Sequence, residues 1–388
     1  MKKLFAVLLF IIVCISVSIA QNTTTVSAKG VGLNRSEALT DAFRNAVGQG
    51  VGVVVSSQSI VENLVLIKDA ISTRTDGVIV SHKVTSEAPL KDSYEINIEA
   101  VVSLDPIKQS VTALQQMVGG IRFLVLYNDK DITSGTGLYD YGVERMNENL
   151  KTKGYRYVEK SRFDKLKTEA VKIMKNDTSQ VDYVQKLGMF SDAQFIIQIS
   201  NIKTRVESKA DGIKAVKVTL EAKAYDNCVA EGLGTITLES SWLTSKDVDD
   251  ATRLGIAQAI DSGSKKLLEL FNKSMADWVN NGAPYELRFY DVGRPRDLRG
   301  LIAKLQDDPN FGGTLEPVQT GNFVKINCTY RKKPYDMYNT VLDYADAIPE
   351  LKAKVIDAKM QYGRQISFAP DGTVVPDVDA VKKLNDTK

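Results

Sequence analysis

Tyr94, Ile96, Ile98, Ala100, Val102 and Leu104 recur at every second position, with Glu95, Asn97, Glu99 and Ser103 among the residues between them, and a period of two over that length fits a strand with one face buried. Something must cover that face. The segment that can do so lies upstream, where Ala38, Leu39, Ala42, Phe43, Ala46 and Val47 recur at helical spacing and form one apolar stripe. Asn34-x-x-Glu37 reads as the capping box that starts this helix. Glycines at 48, 50 and 52 weaken the helix or let backbone pack closely against it. A strand-like stretch ending near Gly30-Val31-Gly32 and a strand from Gly77 to Val84 complete a small helix-on-sheet domain over residues 21–105. Phe43, on the same stripe as Leu39, Ala42 and Val47, is expected in its core.

The chain has a second and a third region of alternating element types. Ile121 to Tyr127 is an uninterrupted apolar strand following Gly119-Gly120. Helices are expected at Tyr139–Leu150 and Arg162–Met174, with a strand near Tyr155–Val158 between them and another at Phe195–Ile199. Val216 to Ala224 alternates, Asp226-Asn227 turns the chain, Leu233–Leu238 returns, and Ala251–Val279 reads as a long amphipathic helix. These make a central α/β domain over 119–282. The breaker cluster Asn281-Gly282-Ala283-Pro284 precedes a βαββα order that resembles a ferredoxin-like α+β unit over 284–369: strands at Tyr285–Tyr290, Thr314–Val318 and Phe323–Tyr330, and helices at Leu298–Leu305 and Tyr335–Ala347. A polar tail, 370–388, follows. The fold class expected is therefore α/β and α+β, in several domains.

Lys2 and Lys3, an apolar run from Leu4 to Val17 and the small-residue pattern Ser18-Ile19-Ala20 have the layout of a secretory signal peptide, 1–20. Cys14 lies within the apolar run after Val13 and reads as filler, not as a lipid site. Cleavage after Ala20 leaves 388 − 20 = 368 residues, whose 48 basic and 48 acidic side chains cancel once the two leader lysines are removed. That balance gives no footprint for nucleic acid. A composition of 43% hydrophobic and 25% charged residues is that of an ordinary globular protein, and no second run is long enough to span a membrane. The expectation is a periplasmic or secreted chain with no transmembrane anchor after cleavage.

The pattern AKGVGLNRSEALTDAFRNAVGQGVGVVV, then DGVIVSHKV, then DSYEINIEAVVSL resembles the N-terminal domain of flagellar assembly protein T. The resemblance covers about a fifth of the chain, and the central region is similar in layout to the α/β domain of curli secretion-channel proteins. It implies a periplasmic, non-enzymatic assembly or scaffolding role with other envelope or periplasmic proteins as partners, and it brings no catalytic residues. Self-association is compatible with it. The C-terminal part departs from that family's pattern.

Chemistry-bearing residues are sparse. His82, the single histidine, stands in an expected strand without a nucleophile or acid beside it, and a multi-histidine zinc site is excluded by count. Nucleophile-elbow and HExxH patterns are absent. Gly30-x-Gly32 lacks the third glycine and the Lys-Ser/Thr of a phosphate cradle and reads as a tight turn. Asp249-Asp250 and Asp307-Asp308 read as caps or solvated faces, and the tyrosines, among them Tyr139 and Tyr141 flanking Asp140, as core or rim packing. Cys228 and Cys328 fall in different expected domains, and sequence does not show whether they meet. No cofactor, metal or catalytic residue is expected. One loop stands out as a weak ligand candidate, Asn128 to Gly137 after the apolar strand, with Asp129, Asp131, Thr133, Ser134 and Thr136 as its oxygen-bearing residues. It supports the alternative reading, a periplasmic small-ligand binding protein for a sugar or metabolite.

Overall fold

The structure, a computed structural model, describes residues 22–56, 63–118, 120–128, 132, 136–174 and 183–378. The leader, Cys14 included, lies outside them. The described residues form two compact units, one within 22–56 and 74–109, the other within 63–73 and 110–378.

In the first unit β1 (Thr23–Gly32), α1 (Arg35–Ser56), β2 (Ile79–Pro89) and β3 (Tyr94–Ser103) make a helix on a three-stranded antiparallel sheet of order β1-β3-β2; α2 (Leu64–Ser72) belongs to the other unit. Alternation in β3 is realised as expected: Ile96, Ile98, Ala100 and Val102 are buried. Asn34 caps the helix as expected, its Oδ1 accepting the Glu37 N–H at 3.0 Å, but the return contact is shifted by one residue: Glu37 accepts the Leu33 N–H at 3.0 Å and the Asn34 side-chain amide at 2.8 Å. Gly30 and Gly32 let β1 abut the start of α1, because a Cβ at Gly30 would lie 2.0 Å from the Ala38 carbonyl oxygen and 2.2 Å from the Ala42 nitrogen. Helix α1 runs on through its glycines, and a Cβ at Gly50 would meet Ile107 and Val102 at 2.8 and 2.9 Å. Phe43 corrects the expectation of a core residue. It is half-buried, edge-on to His82 of β2 with ring centroids 4.7 Å apart, because the fully buried helix residues, Ala38, Ala42, Ala46 and Val47, lie on the neighbouring flank.

The chain continues through α3 (Leu104–Val118), β4 (Phe123–Leu126), α4 (Gly137–Thr152), α5 (Lys160–Met174), α6 (Tyr183–Phe190), β5 (Phe195–Ser208), β6 (Lys214–Asp226), β7 (Glu231–Glu239), β8 (Leu243–Ser245) and α7 (Val248–Asn281). The central sheet has the order β4-β5-β6-β7, with β8 paired to β6. β4 and β5 are parallel and the other pairs antiparallel. Successive β4 residues point to opposite faces. Phe123 packs on Phe195, Phe271 and Tyr155 at 5.0 to 5.5 Å between ring centroids, under α7, while Leu124 and Leu126 join Phe163, Leu187 and Phe190 under α5 and α6. The expected strand near Tyr155–Val158 is reduced to a single parallel bridge between Tyr157 and Phe123.

After α7 come β9 (Ala283–Tyr290), α8 (Arg299–Asp307), β10 (Phe311–Gly312), β11 (Pro317–Thr320), β12 (Phe323–Tyr330), α9 (Pro334–Asp346), α10 (Pro349–Lys352), β13 (Ile356–Tyr362) and β14 (Gln365–Pro370). The sheet order is β10-β12-β9-β14-β13, with β11 also on β12. The βαββα order is present, and the β13-β14 hairpin adds a strand parallel to β9 on its other side. Chain fold is therefore mixed α/β and α+β, in more than one unit.

The turn of this hairpin reaches the central sheet. Arg364 donates two hydrogen bonds to the Asp226 carboxylate, both 2.7 Å, a third to the Pro284 carbonyl at 3.0 Å, and lies over the Trp278 ring at 4.3 Å. Both charged side chains are sealed from solvent, at 3% and 0% exposure. Burial disfavours the guanidinium charge, but Asp226 more than restores it and the Arg364 pKa is raised. Tyr362 accepts from Asn227 Nδ2 at 2.7 Å and donates to the Ala193 carbonyl. Gly363, at φ +52°, passes where a Cβ would stand 2.6 Å from Cys228 Sγ. Cys228 and Cys328 are both buried and unbridged, and burial pushes the Cys228 thiol up to about 12.

Two outcomes test this description. Arg364→Met leaves the Asp226 carboxylate buried without its partner and should cost about 3–5 kcal/mol in urea denaturation, whereas Arg364→Met with Asp226→Leu should recover most of the loss. Gly30→Ala forces backbone apart and should destabilise the first unit by about 3 kcal/mol or more. Gly52→Ala, a helical position with nothing within 4 Å of the added methyl, should stabilise it by about 0.5–1 kcal/mol in thermal melts.

Candidate functional site

β4 is the point at which the central sheet changes winding direction. From β4 the chain goes through α4 to the Tyr157 bridge on one side, then through α5 and α6 to β5 on the other. Connections leaving neighbouring parallel strands in opposite directions open a crevice beyond their carboxyl ends, the usual ligand position in such sheets. Here the crevice is bordered by Tyr127, directly after β4, by Tyr139 and Asp140 in the first turn of α4, and by Lys160 and Lys167 on α5.

The Tyr127 and Tyr139 rings stand 5.5 Å apart at an angle of 52°. Tyr139 is fixed from below, its hydroxyl accepting the Ile202 N–H at 3.3 Å just past the bulge in β5. Tyr127 donates to Asp140 Oδ1 at 3.1 Å and carries Lys167 over its ring at 5.2 Å. Lys160 bridges Asp140 at 3.1 Å and Asp164 at 2.6 Å. The hydrogen bond that Lys160 donates to Asp164 outweighs desolvation and, with Asp140, holds the Lys160 pKa well above that of a free lysine. Lys160 is thus held between two carboxylates as an ion-pair partner. Two lysines and two aspartates balance. At this corner the two tyrosine rings pack on each other and Lys167 lies over the Tyr127 ring, beside the ion pairs of Lys160.

Of the loop residues singled out by sequence, Asp129, Asp131, Thr133 and Ser134 lie outside the described residues. Thr136 begins α4, its carbonyl accepting the Asp140 N–H at 2.9 Å, and its side chain makes no capping bond. Sequence reasoning missed Tyr127, Lys160 and Lys167, and only the Tyr139-Asp140-Tyr141 cluster hinted at the crevice. Tyr141 does not join it and lies under Arg253 at 5.4 Å.

Other candidates resolve as structure. His82 is exposed on β2. Asp249 and Asp250 begin α7, where their N–H groups donate to Asp247 Oδ1 at 2.8 and 3.2 Å. Asp308 accepts from the Asn310 backbone at 2.9 Å and from the Tyr344 hydroxyl at 3.1 Å. Among the described residues no group of three His, Cys, Asp or Glu side chains is placed to hold a metal, and no helix is long and apolar enough to cross a membrane. A shallow groove of about 550 Å³ on the C-terminal sheet unit is lined by Arg296, Arg299, Ile302, Gln306, Leu315 and Glu316 among others, all its polar residues being solvent-exposed. Compared with known proteins, the chain matches no protein-family model and no curated protein sequence.

Proposed function

We propose that the chain is an exported, non-enzymatic module of a bacterial cell envelope that assembles with or scaffolds other envelope proteins. The observation that carries this reading is the apolar end of the first unit's sheet. Leu33 follows β1 and Leu90 follows β2, and they are 75% and 51% exposed; Val31 beside them is 45% exposed. Gly32 and Pro89 both pair with Tyr94, so the two leucines lie at the same end of the sheet, two strand spacings or about 10 Å apart in backbone position. Ion pairs Lys29–Glu95 and Arg35–Glu87, at 2.8 and 2.7 Å, rim the patch. An apolar centre with a charged rim is the usual anatomy of a protein-docking surface.

Docking by strand addition has less support than docking at this end. Side chains of α1 already occupy backbone groups of β1 that do not face β3: Gln49 donates to the Ser27 carbonyl at 2.8 Å, Asn45 to the Lys29 carbonyl at 2.7 Å, and Asp41 accepts the Val31 N–H at 3.1 Å. β2, the other edge, is interrupted by two register shifts, at Ile79/Ser81 and Val84/Ser86, which bend it away from a straight template. Its sequence resemblance to the N-terminal domain of flagellar assembly protein T supports the same reading.

A second reading, small-ligand binding, is favoured by the crevice at the sheet's switch point. The two separate in one set of variants. Leu33→Glu with Leu90→Glu should leave thermal stability within about 0.5 kcal/mol, both residues being exposed, and should abolish partner recovery in crosslinking pull-downs from the native host. Asp129→Ala with Asp131→Ala should leave that recovery intact. Retained partners in the leucine variant, or a sugar or divalent cation held in native mass spectrometry and lost in the aspartate variant, would replace assembly by ligand binding.

A further inference from the structure

β7 ends the order of the central sheet, and among the described residues no strand pairs with its outer side. Which of its backbone groups point outward follows from one hydrogen bond. The Ser240 N–H donates to the Val218 carbonyl at 3.0 Å, so Ser240 is turned toward β6. Backbone direction alternates along a strand, and the register pairs Leu238 with Leu220 and Ile236 with Ala222, so these two are also turned inward. Thr235, Thr237 and Glu239 therefore aim their N–H and carbonyl groups away from the sheet. The same alternation holds on the other side of β6, where the Glu221 carbonyl faces β5 and accepts from the Ser200 hydroxyl at 3.3 Å.

Open edges are a hazard that this chain closes elsewhere. Side chains of α1 occupy the free side of β1, register shifts interrupt β2 and β13, and β10 and β11 are only two and four residues long. β7 has its own irregularity at its start, where Gly232 pairs with Tyr225 and Gly234 with Ala224. Beyond it Thr235–Glu239 is regular and holds neither proline nor a basic residue, and Thr235, Thr237 and Glu239 are exposed.

The flank of α7 indicates what would fit there. A Cβ at Gly263 would lie 2.5 Å from Leu238, and one at Gly234 would lie 3.2 Å from Leu270, so α7 runs antiparallel to β7 across one face of it. Gly263, Lys266, Leu270 and Lys273 are three and four residues apart and form one row on the helix. Buried Ile260, Ser264 and Leu267 take the inner flank, so the exposed Lys266 and Lys273 stand on the side of the open edge, with half-buried Leu270 between them and half-buried Ile236 on the same face of β7. An added strand would meet, on its α7 side, apolar surface and two ammonium groups. A second copy pairing its own β7 about Thr237 is disfavoured, because Thr237 lies beside the stretch of α7 between Gly263 and Leu270 and the two Lys266 side chains would face each other.

We propose that the outer side of β7 is a strand-addition site, at which Thr235, Thr237 and Glu239 pair with an extended segment of another protein whose α7-facing side chains alternate between apolar and acidic. This proposal does not rest on the leucine surface of the first unit.

Its test titrates the full chain into a fluorescein-labelled peptide made of the repeat Val-Thr-Glu-Thr taken twice, followed by anisotropy. The peptide should bind, and its counterpart with lysine in place of glutamate should bind at least tenfold more weakly. Thr237→Pro removes an outward N–H at an edge position, where proline is tolerated, so the variant should keep its melting temperature and lose at least tenfold in affinity. Thr237→Val changes the side chain alone and should bind as the native chain does. On binding, the amides of Thr235, Thr237 and Glu239 should slow at least tenfold in hydrogen exchange. Should Thr237→Pro not fold, Lys266→Glu with Lys273→Glu on the helix surface decides, by reversing the preference between the two peptides. Absence of binding, equal binding of both peptides by the native chain, unchanged affinity in folded Thr237→Pro, or an unchanged preference in the double glutamate variant overturns the proposal. So does a dimer that forms with rising concentration in sedimentation and is lost in Thr237→Pro, since the edge would then belong to a second copy.

Discussion

The second unit depends on one buried contact, the two-fold hydrogen-bonded pair of Arg364 and Asp226. Asp226 ends β6 of the central sheet and Arg364, in the hairpin turn, immediately precedes β14 of the C-terminal sheet, so the pair joins elements more than a hundred residues apart in sequence. Its geometry explains its surroundings. The Trp278 ring covers the guanidinium, the Pro284 carbonyl takes a third donor, and Gly363 has no side chain because Cys228 and Gln194 fill the space a Cβ would need. Pairing does not make the site a large source of net stability, since desolvating both ions offsets most of their attraction. Its effect is on specificity: any other docking of the two sheets would leave a charge buried and unpaired.

How far the fold could be read from sequence follows from the range of the interactions involved. The Asn34/Glu37 cap and the alternation in Tyr94–Ser103 are local, and both were legible. Burial of the helix stripe was legible as a face but not in detail. Phe43 satisfies the helical period, yet only the placement of β2 decides that it meets His82 at a half-open flank. The β13-β14 hairpin escaped because its burial is set from outside. Ile356–Tyr362 has a register shift between Ala358 and Met360 and no clean period, and Tyr362 is buried by Asn227 and Ala193 of the central domain. The single Tyr157 bridge, where a full strand was expected, lacks neighbours that would extend the ladder.

The crevice at the winding switch was legible as a place and not as a set of side chains. An apolar strand followed by a polar loop and a helix identifies where the chain turns. It does not identify Tyr127, Lys160 and Lys167, whose relation to Asp140 and Tyr139 is created by the packing of α4 and α5 around β4. Burial of the polar face of β9 was less legible still. Glu286 and Arg288 alternate with Leu287 and Phe289 as in any half-exposed strand, and nothing in that pattern says that the outward face is covered.

Native-state hydrogen exchange across β6 and β14 tests the central claim, that buried charge in this unit holds two sheets as one body. If Arg364 and Asp226 couple the sheets, the slowest amides of Val218–Ala224 and of Ile366–Phe368 should open together, with the same dependence on denaturant. Slow amides in one sheet that open at markedly lower denaturant than those in the other would contradict it, and would make the pair a surface-like contact between independently folding halves.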